Sequence, residues 1–123
     1  MTPTTPSRPR DPQLLKGVLP MLVLHLLQVQ ESYGYELVTR LRDTGLTDLT
    51  TGTVYPVLGR LEREGLLTSR LAPSASGPAR KYYRPTAAGT RALADAVAGW
   101  HALTDTVTAA LATTPTPTQE ASR

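Results

Sequence analysis

The chain contains no cysteine and no phenylalanine, one tryptophan, two methionines and two histidines. Without cysteine there is no disulfide, no thiolate metal site and no cysteine nucleophile, which agrees with a reducing, cytoplasmic setting. His25 and His101 have no companion ligands near them in sequence, so no metal site is expected. A glycine-rich phosphate loop, paired carboxylates in a polar setting and an ordered Ser/His/Asp set are all missing. Catalysis and a bound cofactor are therefore not expected. A membrane span needs about 20 apolar residues, and the apolar run Gly17 to Leu27 is shorter and holds His25. Arg8, Arg10 and Lys16 before that run superficially suggest a leader. The run has no small-residue cleavage site, however, and continues into Tyr33-Gly34-Tyr35.

What is present fits one small domain: 123 residues, 40% of them apolar. A core of that size is modest, and such domains often gain stability by oligomerising. The net charge is only +3, but it is unevenly spread. Arg60, Arg63, Arg70, Arg80, Lys81, Arg84 and Arg91 face only Glu62 and Glu64 between positions 60 and 91. That segment is +5 and the remainder −2, an electrostatic footprint for a polyanion or a solvated basic face.

Residues 1–12 and 113–123 are rich in Pro, Thr and Ser and read as disordered tails. Between them, residues 13–86 read as one folded unit and 87–112 as a separate long helix. A first helix is expected over Leu14 to Gln28, apolar around most of its circumference, so it must be covered on more than one side. Pro20 predicts a kink or a late start there. A second helix is expected over Tyr33 to Asp43, with Ser32 as N-cap and Gly45 as its stop. Gly34 in its first turn permits close backbone approach. A third is expected over Gly52 to Glu64, capped by Thr51 and ended by Gly65, with Val54, Leu58 and Leu61 buried and Pro56 near its first turn.

Leu66 to Leu71 reads as a strand, Ala72 to Ala79 as a turn-rich loop and Arg80 to Pro85 as the returning strand. Tyr82 and Tyr83 point to opposite faces of it. Thr86 can cap a last helix running to Ala112. Leu93, Trp100 and Val107 lie seven apart, with Ala96, Leu103 and Ala110 between them, a short coiled-coil-like stripe. Such a helix has little to pack against in so small a domain. Pairing between two copies would cover both it and the over-apolar first helix. Leu15, Leu19 and Leu22 on the first helix, and Leu93, Val97, Trp100, Leu103, Val107 and Leu111 on the last, are the expected dimerisation residues. The fold class is mainly α with a small β-hairpin.

Two helices joined by a short turn and followed by a hairpin give the winged helix-turn-helix order. In that layout the second helix of the motif enters the major groove of double-stranded DNA with its N-terminus leading. Its front here is Thr51, Gly52, Thr53 and Tyr55. Hydroxyls there can bond to phosphates or base edges, or Thr51 simply caps and Tyr55 packs in the core. Arg60 and Arg63 lie further along, over the phosphates. Arg80 and Lys81 project from the hairpin, where they reach the minor groove or its flanking phosphates.

Leu15-Lys16-Gly17-Val18-Leu19, Tyr33-Gly34-Tyr35-Glu36-Leu37, Gly52-Thr53-Val54-Tyr55-Pro56, Arg60 to Leu66 (RLEREGL) and Gly77 to Tyr83 (GPARKYY) together resemble the PadR family of bacterial transcriptional regulators. The resemblance runs in register from Leu14 to Leu111. It implies a winged helix-turn-helix with a single C-terminal dimerisation helix, as in the compact branch of the family. Members are mostly repressors that bind dyad-symmetric operators as homodimers and release them on binding a small molecule, phenolic acids and planar hydrophobic drugs among them. By motif position, Tyr33 and Tyr35 match the tyrosines of the second helix, Thr53 and Tyr55 the start of the recognition helix, and Arg80 and Lys81 the basic wing. Trp100 sits in the C-terminal helix, where some relatives use a tryptophan to stack a flat effector between subunits; plain interface packing is the alternative. Pro20 departs from the family pattern.

The expected function is a cytoplasmic, nucleoid-associated, ligand-responsive repressor. The competing reading is a winged-helix module that binds protein instead, since fold alone does not fix function.

Overall fold

The computed structural model describes residues 11–115. Seven elements follow one another: α1 (Pro12–Val29), β1 (Ser32–Tyr33), α2 (Gly34–Asp43), α3 (Thr51–Arg63), β2 (Leu67–Ser74), β3 (Gly77–Pro85) and α4 (Ala87–Leu111). The predicted tails, apart from Asp11, Pro12 and residues 113–115, lie outside the described residues.

α1 starts earlier than expected because Asp11 caps it, accepting from the Gln13 N–H at 2.8 Å, with Pro12 in the first turn. Pro20 does not end the helix. The carbonyl it leaves without a partner belongs to Lys16, an exposed residue where water can serve it. At 18 residues and a mean hydropathy of 1.3, α1 is long and apolar enough to cross a membrane by length and composition. Its own Leu19, Val23, Leu24 and Leu27 are buried in the domain core. They meet Leu37, Val38 and Leu41 of α2, Val54, Leu58 and Leu61 of α3, and Leu49, Leu67 and Leu93.

Ser32 is not a helix cap. It lies in a two-residue strand, β1, that pairs with β3, Ser32 opposite Tyr83 and Tyr33 opposite Tyr82. The sheet order is β1-β3-β2, antiparallel throughout. Ser32 is buried, and its hydroxyl accepts from Arg40 Nη1 at 2.7 Å. The same guanidinium donates to the carbonyls of Gln30 (2.8 Å) and Leu26 (2.7 Å). Arg40 of α2 thus satisfies the open C-terminal end of α1 and the first strand together.

α3 ends as predicted, at a left-handed glycine. Gly65 has φ +78, and the Leu66 N–H reaches the Leu61 carbonyl while that of Gly65 reaches Glu62, the Schellman pattern. The hairpin is tighter than expected. Ala75 and Ser76 alone form the turn, and both strands extend through most of the predicted loop. The register slips between Ala72 and Ser74, around Pro73, a residue with no amide to give the ladder.

α4 is capped by Thr86, whose hydroxyl accepts from the Gly89 N–H at 3.0 Å and donates to the Gly65 carbonyl at 2.6 Å. The Thr86 N–H in turn donates to the Leu66 carbonyl at 3.1 Å. Its early turns pack on the core through Leu93, Ala92 and Val97, whereas every residue from Ala98 to Leu111 is exposed. The expected pairing residues divide by their burial within the single chain. Leu19 and Leu93 belong to the chain's own core, and Leu15, Leu22 and Val97 are half-buried against it. Only Trp100, Leu103, Val107 and Leu111 stand free.

Candidate nucleic-acid interface

α2 and α3 form the two-helix unit and the sheet flanks it. Tyr33 precedes α2 with no side-chain bond to the helix, and Thr50 does the same for α3. α1 and α4 are side-chain capped, whereas neither helix of the motif is; of these two, α3 has an exposed first turn without an acidic residue, where backbone N–H groups and the helix dipole favour an anion. Thr50, not Thr51, is the N-cap residue of α3. Thr51 is its first helical residue, exposed with Gly52 and Thr53, and the Thr50 and Thr53 hydroxyls lie 3.4 Å apart. Pro56 is consequently the sixth helical residue, deeper than expected, and it leaves the Gly52 carbonyl without its helical donor.

Tyr55 is exposed to 48%, so it is not a core residue. Its ring lies across the start of α2. A Cβ on Gly34 would come within 2.7 Å of the Tyr55 ring, so glycine there lets the ring sit directly on the α2 backbone, and a larger residue would make the ring move aside. Tyr35 is beside it and exposed to 63%. Tyr33 carries the surface on to the sheet. The Arg80 guanidinium lies 4.4 Å from the Tyr33 ring centroid, and the Tyr82 ring meets Tyr33 edge-on at 5.4 Å. Tyr55 thus joins α3 to the start of α2, and Arg80 over Tyr33 joins the sheet to that same start, while Thr53 borders the groove between α1 and α3.

Arg80 and Lys81 do not share a face. Strand residues alternate, so Arg80 joins Tyr82 and Tyr33 on the outer face. Lys81 points the other way, toward α3, where its ammonium donates to Glu62 Oε1 at 2.9 Å. Glu62 Oε2 accepts from the Ser69 hydroxyl at 2.6 Å. On the outer face Arg70 lies 5.2 Å from the Tyr82 ring centroid and forms a two-pronged bridge to Glu31. Tyr83 packs inward against the core. Arg60 makes a loose bridge to Glu64 at 3.7 Å. Arg60 and Arg63, with Lys16 of α1, border an open groove of about 820 Å³ between α1 and α3, floored by Leu19 and Val57.

Glu62, Ser69, Arg70, Glu31 and Lys16 were not legible as site residues in the sequence. Each gains its role from a neighbour distant along the chain. Alternation along a strand would have separated Arg80 from Lys81.

The Ser69 hydroxyl, then the Lys81 ammonium, hold the Glu62 carboxyl below its ordinary value of 4.5; the Arg70 guanidinium does the same for Glu31. Depressed folded-state values give stability that is complete above about pH 4.5 and lost as pH falls through the lower folded values. The thermal midpoint of the native chain should therefore fall more steeply below about pH 4.5 than that of a Glu31→Gln, Glu62→Gln double variant. Parallel curves for the two proteins would refute this.

The profile of the "Transcriptional regulator PadR-like family" matches residues 23–95. A PadR-like transcriptional regulator from Bacillus cereus strain ATCC 14579 is 38% identical with a TM-score of 0.75, over 83% of this chain and 99% of its own. A PadR family regulator from Eggerthella lenta DSM 2243 is 43% identical with a TM-score of 0.76, over 83% and 88%. The transcriptional regulator Rv3488 of Mycobacterium tuberculosis is 40% identical over 73 residues, which are 59% of this chain and 66% of that protein.

Proposed function

Because the chain belongs to the PadR-like family of transcriptional regulators, we propose that it is a cytoplasmic repressor that binds a dyad-symmetric operator as a homodimer and responds to a small ligand. Its relatives are regulators, not enzymes. The observation that carries the reading is the exposed front of α3, with Thr51, Gly52 and Thr53 at an N-terminus that no side chain caps, beside Tyr55 on the start of α2 and Arg80 over Tyr33. Thr51, Gly52 and Thr53 lead into the major groove, with base-edge contacts from Thr53 and Tyr55. The exposed Tyr35 hydroxyl meets a flanking phosphate. Arg60, Arg63 and Arg80 neutralise phosphates along the same strand path.

Each phosphate neutralised on B-DNA contributes about −0.9 to the slope of log Kobs against log salt. Arg80→Ala should weaken operator and random duplex alike and make the slope shallower by about 0.9 per protomer. An unaltered slope would remove Arg80 from the interface.

Trp100 stands 44% exposed on the free half of α4. In the proposed dimer it lies at the junction of the two copies, where a planar hydrophobic or phenolic ligand can stack on it. As the sole tryptophan, it makes intrinsic fluorescence a direct reporter. Quenching by planar aromatic compounds, accompanied by loss of operator binding, is the expected result. Operator release with no change in Trp100 emission would separate the effector from this residue.

A further inference from the structure

Glu62 lies on the flank of the recognition helix nearest the wing, yet it is a carboxylate on a surface read as meeting phosphates. Left alone it would repel them. It is not left alone: one oxygen is held by Ser69 of β2 at 2.6 Å, the other by Lys81 of β3 at 2.9 Å. A single side chain of α3 therefore grips both strands of the wing. The side chains of Glu62 and Lys81 keep 31% and 47% of their surface, so the pair sits at the rim and not in the core. The Lys81 ammonium also lies 5.3 Å from the centroid of the Tyr83 ring, which holds it toward the inner face of the sheet. Arg80, one residue away, has no carboxylate partner among the described residues and faces outward over Tyr33.

We propose that Glu62 is a positioning residue of the DNA interface that fixes the wing on the recognition helix through Ser69 and Lys81, and that it withholds the Lys81 charge from DNA. The proposal rests on the DNA-binding reading above. It reverses the sequence-based expectation for Lys81: the lysine acts as the counter-charge of a clamp, and Arg80 alone is the wing's phosphate contact. The clamp has two effects that differ in sign. It lowers non-specific attraction by one charge per protomer, and it improves discrimination by holding helix and wing in one relative position.

The test uses the full chain, a random-sequence duplex, and an operator enriched from a random duplex library by the unaltered protein. Glu62→Gln keeps a polar side chain of the same shape and frees Lys81. Its salt slope on random duplex should steepen by about 0.9 per protomer, while the ratio of operator to random affinity falls about tenfold. The charge-balanced pair Glu62→Gln with Lys81→Met should restore the original slope without restoring the ratio. A purely structural bridge would leave the slope unmoved in every variant. A slope unchanged in Glu62→Gln, or a balanced pair shallower than the original by about 0.9 per protomer, overturns the proposal. If the unaltered protein binds no duplex at low salt, the DNA-binding reading falls and this proposal with it. If it binds and only the Glu62→Gln slope and ratio fail to change, the DNA-binding reading stands and the clamp does not.

Discussion

Replacing Leu103 and Val107 together by aspartate is expected to leave the chain monomeric at micromolar concentration and to abolish tight operator binding. Both side chains lie on the part of α4 that is exposed along its whole length among the described residues, at 59% and 45%. Trp100 and Leu111 extend the same stripe at 44% and 78% exposure. A contiguous apolar surface of this kind on a small protein marks an association site. Burying one such side chain is worth about 1.5–3 kcal/mol, and the double substitution removes two of them per protomer while adding two charges. A loss of roughly 4 kcal/mol already weakens association about a thousand-fold. Operator affinity should then fall by a further factor of about 10²–10⁴, because the second half-site is no longer reached intramolecularly. Sedimentation velocity reads the first effect and a mobility shift the second. A variant that still sediments as a dimer would show that the copies join elsewhere.

Gly89→Ala should be the most damaging single methyl in the chain. Gly89 is buried in the first turn of α4, directly over the strand that follows α3. A Cβ there would overlap the Leu66 carbonyl oxygen and reach 3.0 Å from its carbon and 3.3 Å from Pro85 Cβ. The obstacle is backbone, which cannot rotate aside as a side chain would. That carbonyl also accepts from the Thr86 N–H, so relief by movement strains the cap of α4 as well. Overpacking of this kind costs about 1–3 kcal/mol or more, which lowers the thermal midpoint by roughly 10 °C in a domain of this size. Gly17→Ala is the control. Gly17 has open space around it and lies inside α1, so alanine there should stabilise by about 0.5–1 kcal/mol. Two glycine-to-alanine changes of opposite sign separate packing from helix propensity. Equal midpoints for the two variants would discard the steric account of Gly89.

The helices and their stops were legible in the sequence because they rest on local rules. Gly65 ends α3 through its own backbone, and the Val54, Leu58, Leu61 stripe needs only helical periodicity. β1 was not legible, since two residues have no period; Ser32 and Tyr33 become a strand only when β3 lies beside them. Arg40 reads as one more surface charge on an amphipathic helix. Its value comes from carbonyls ten and fourteen residues earlier, at the end of α1. The proposed DNA-facing surface is legible only in its placement on α3: that Thr53, Tyr55, Arg60 and Arg63 lie along one helix follows from helix order. The pairing of Lys81 with Glu62 follows from register and strand face, and a sequence read residue by residue sees two adjacent cations as equivalents.

The joint formed by Thr86, Gly89 and the Leu66 carbonyl also sets a mechanical scale. A helix of 25 residues is about 37 Å long. A tilt of about 10° at that joint swings the far end through about 6 Å. Recognition helices on one face of DNA must sit about 34–36 Å apart, so in the proposed dimer the stiffness of that pivot would govern how much variation in half-site spacing an operator can carry.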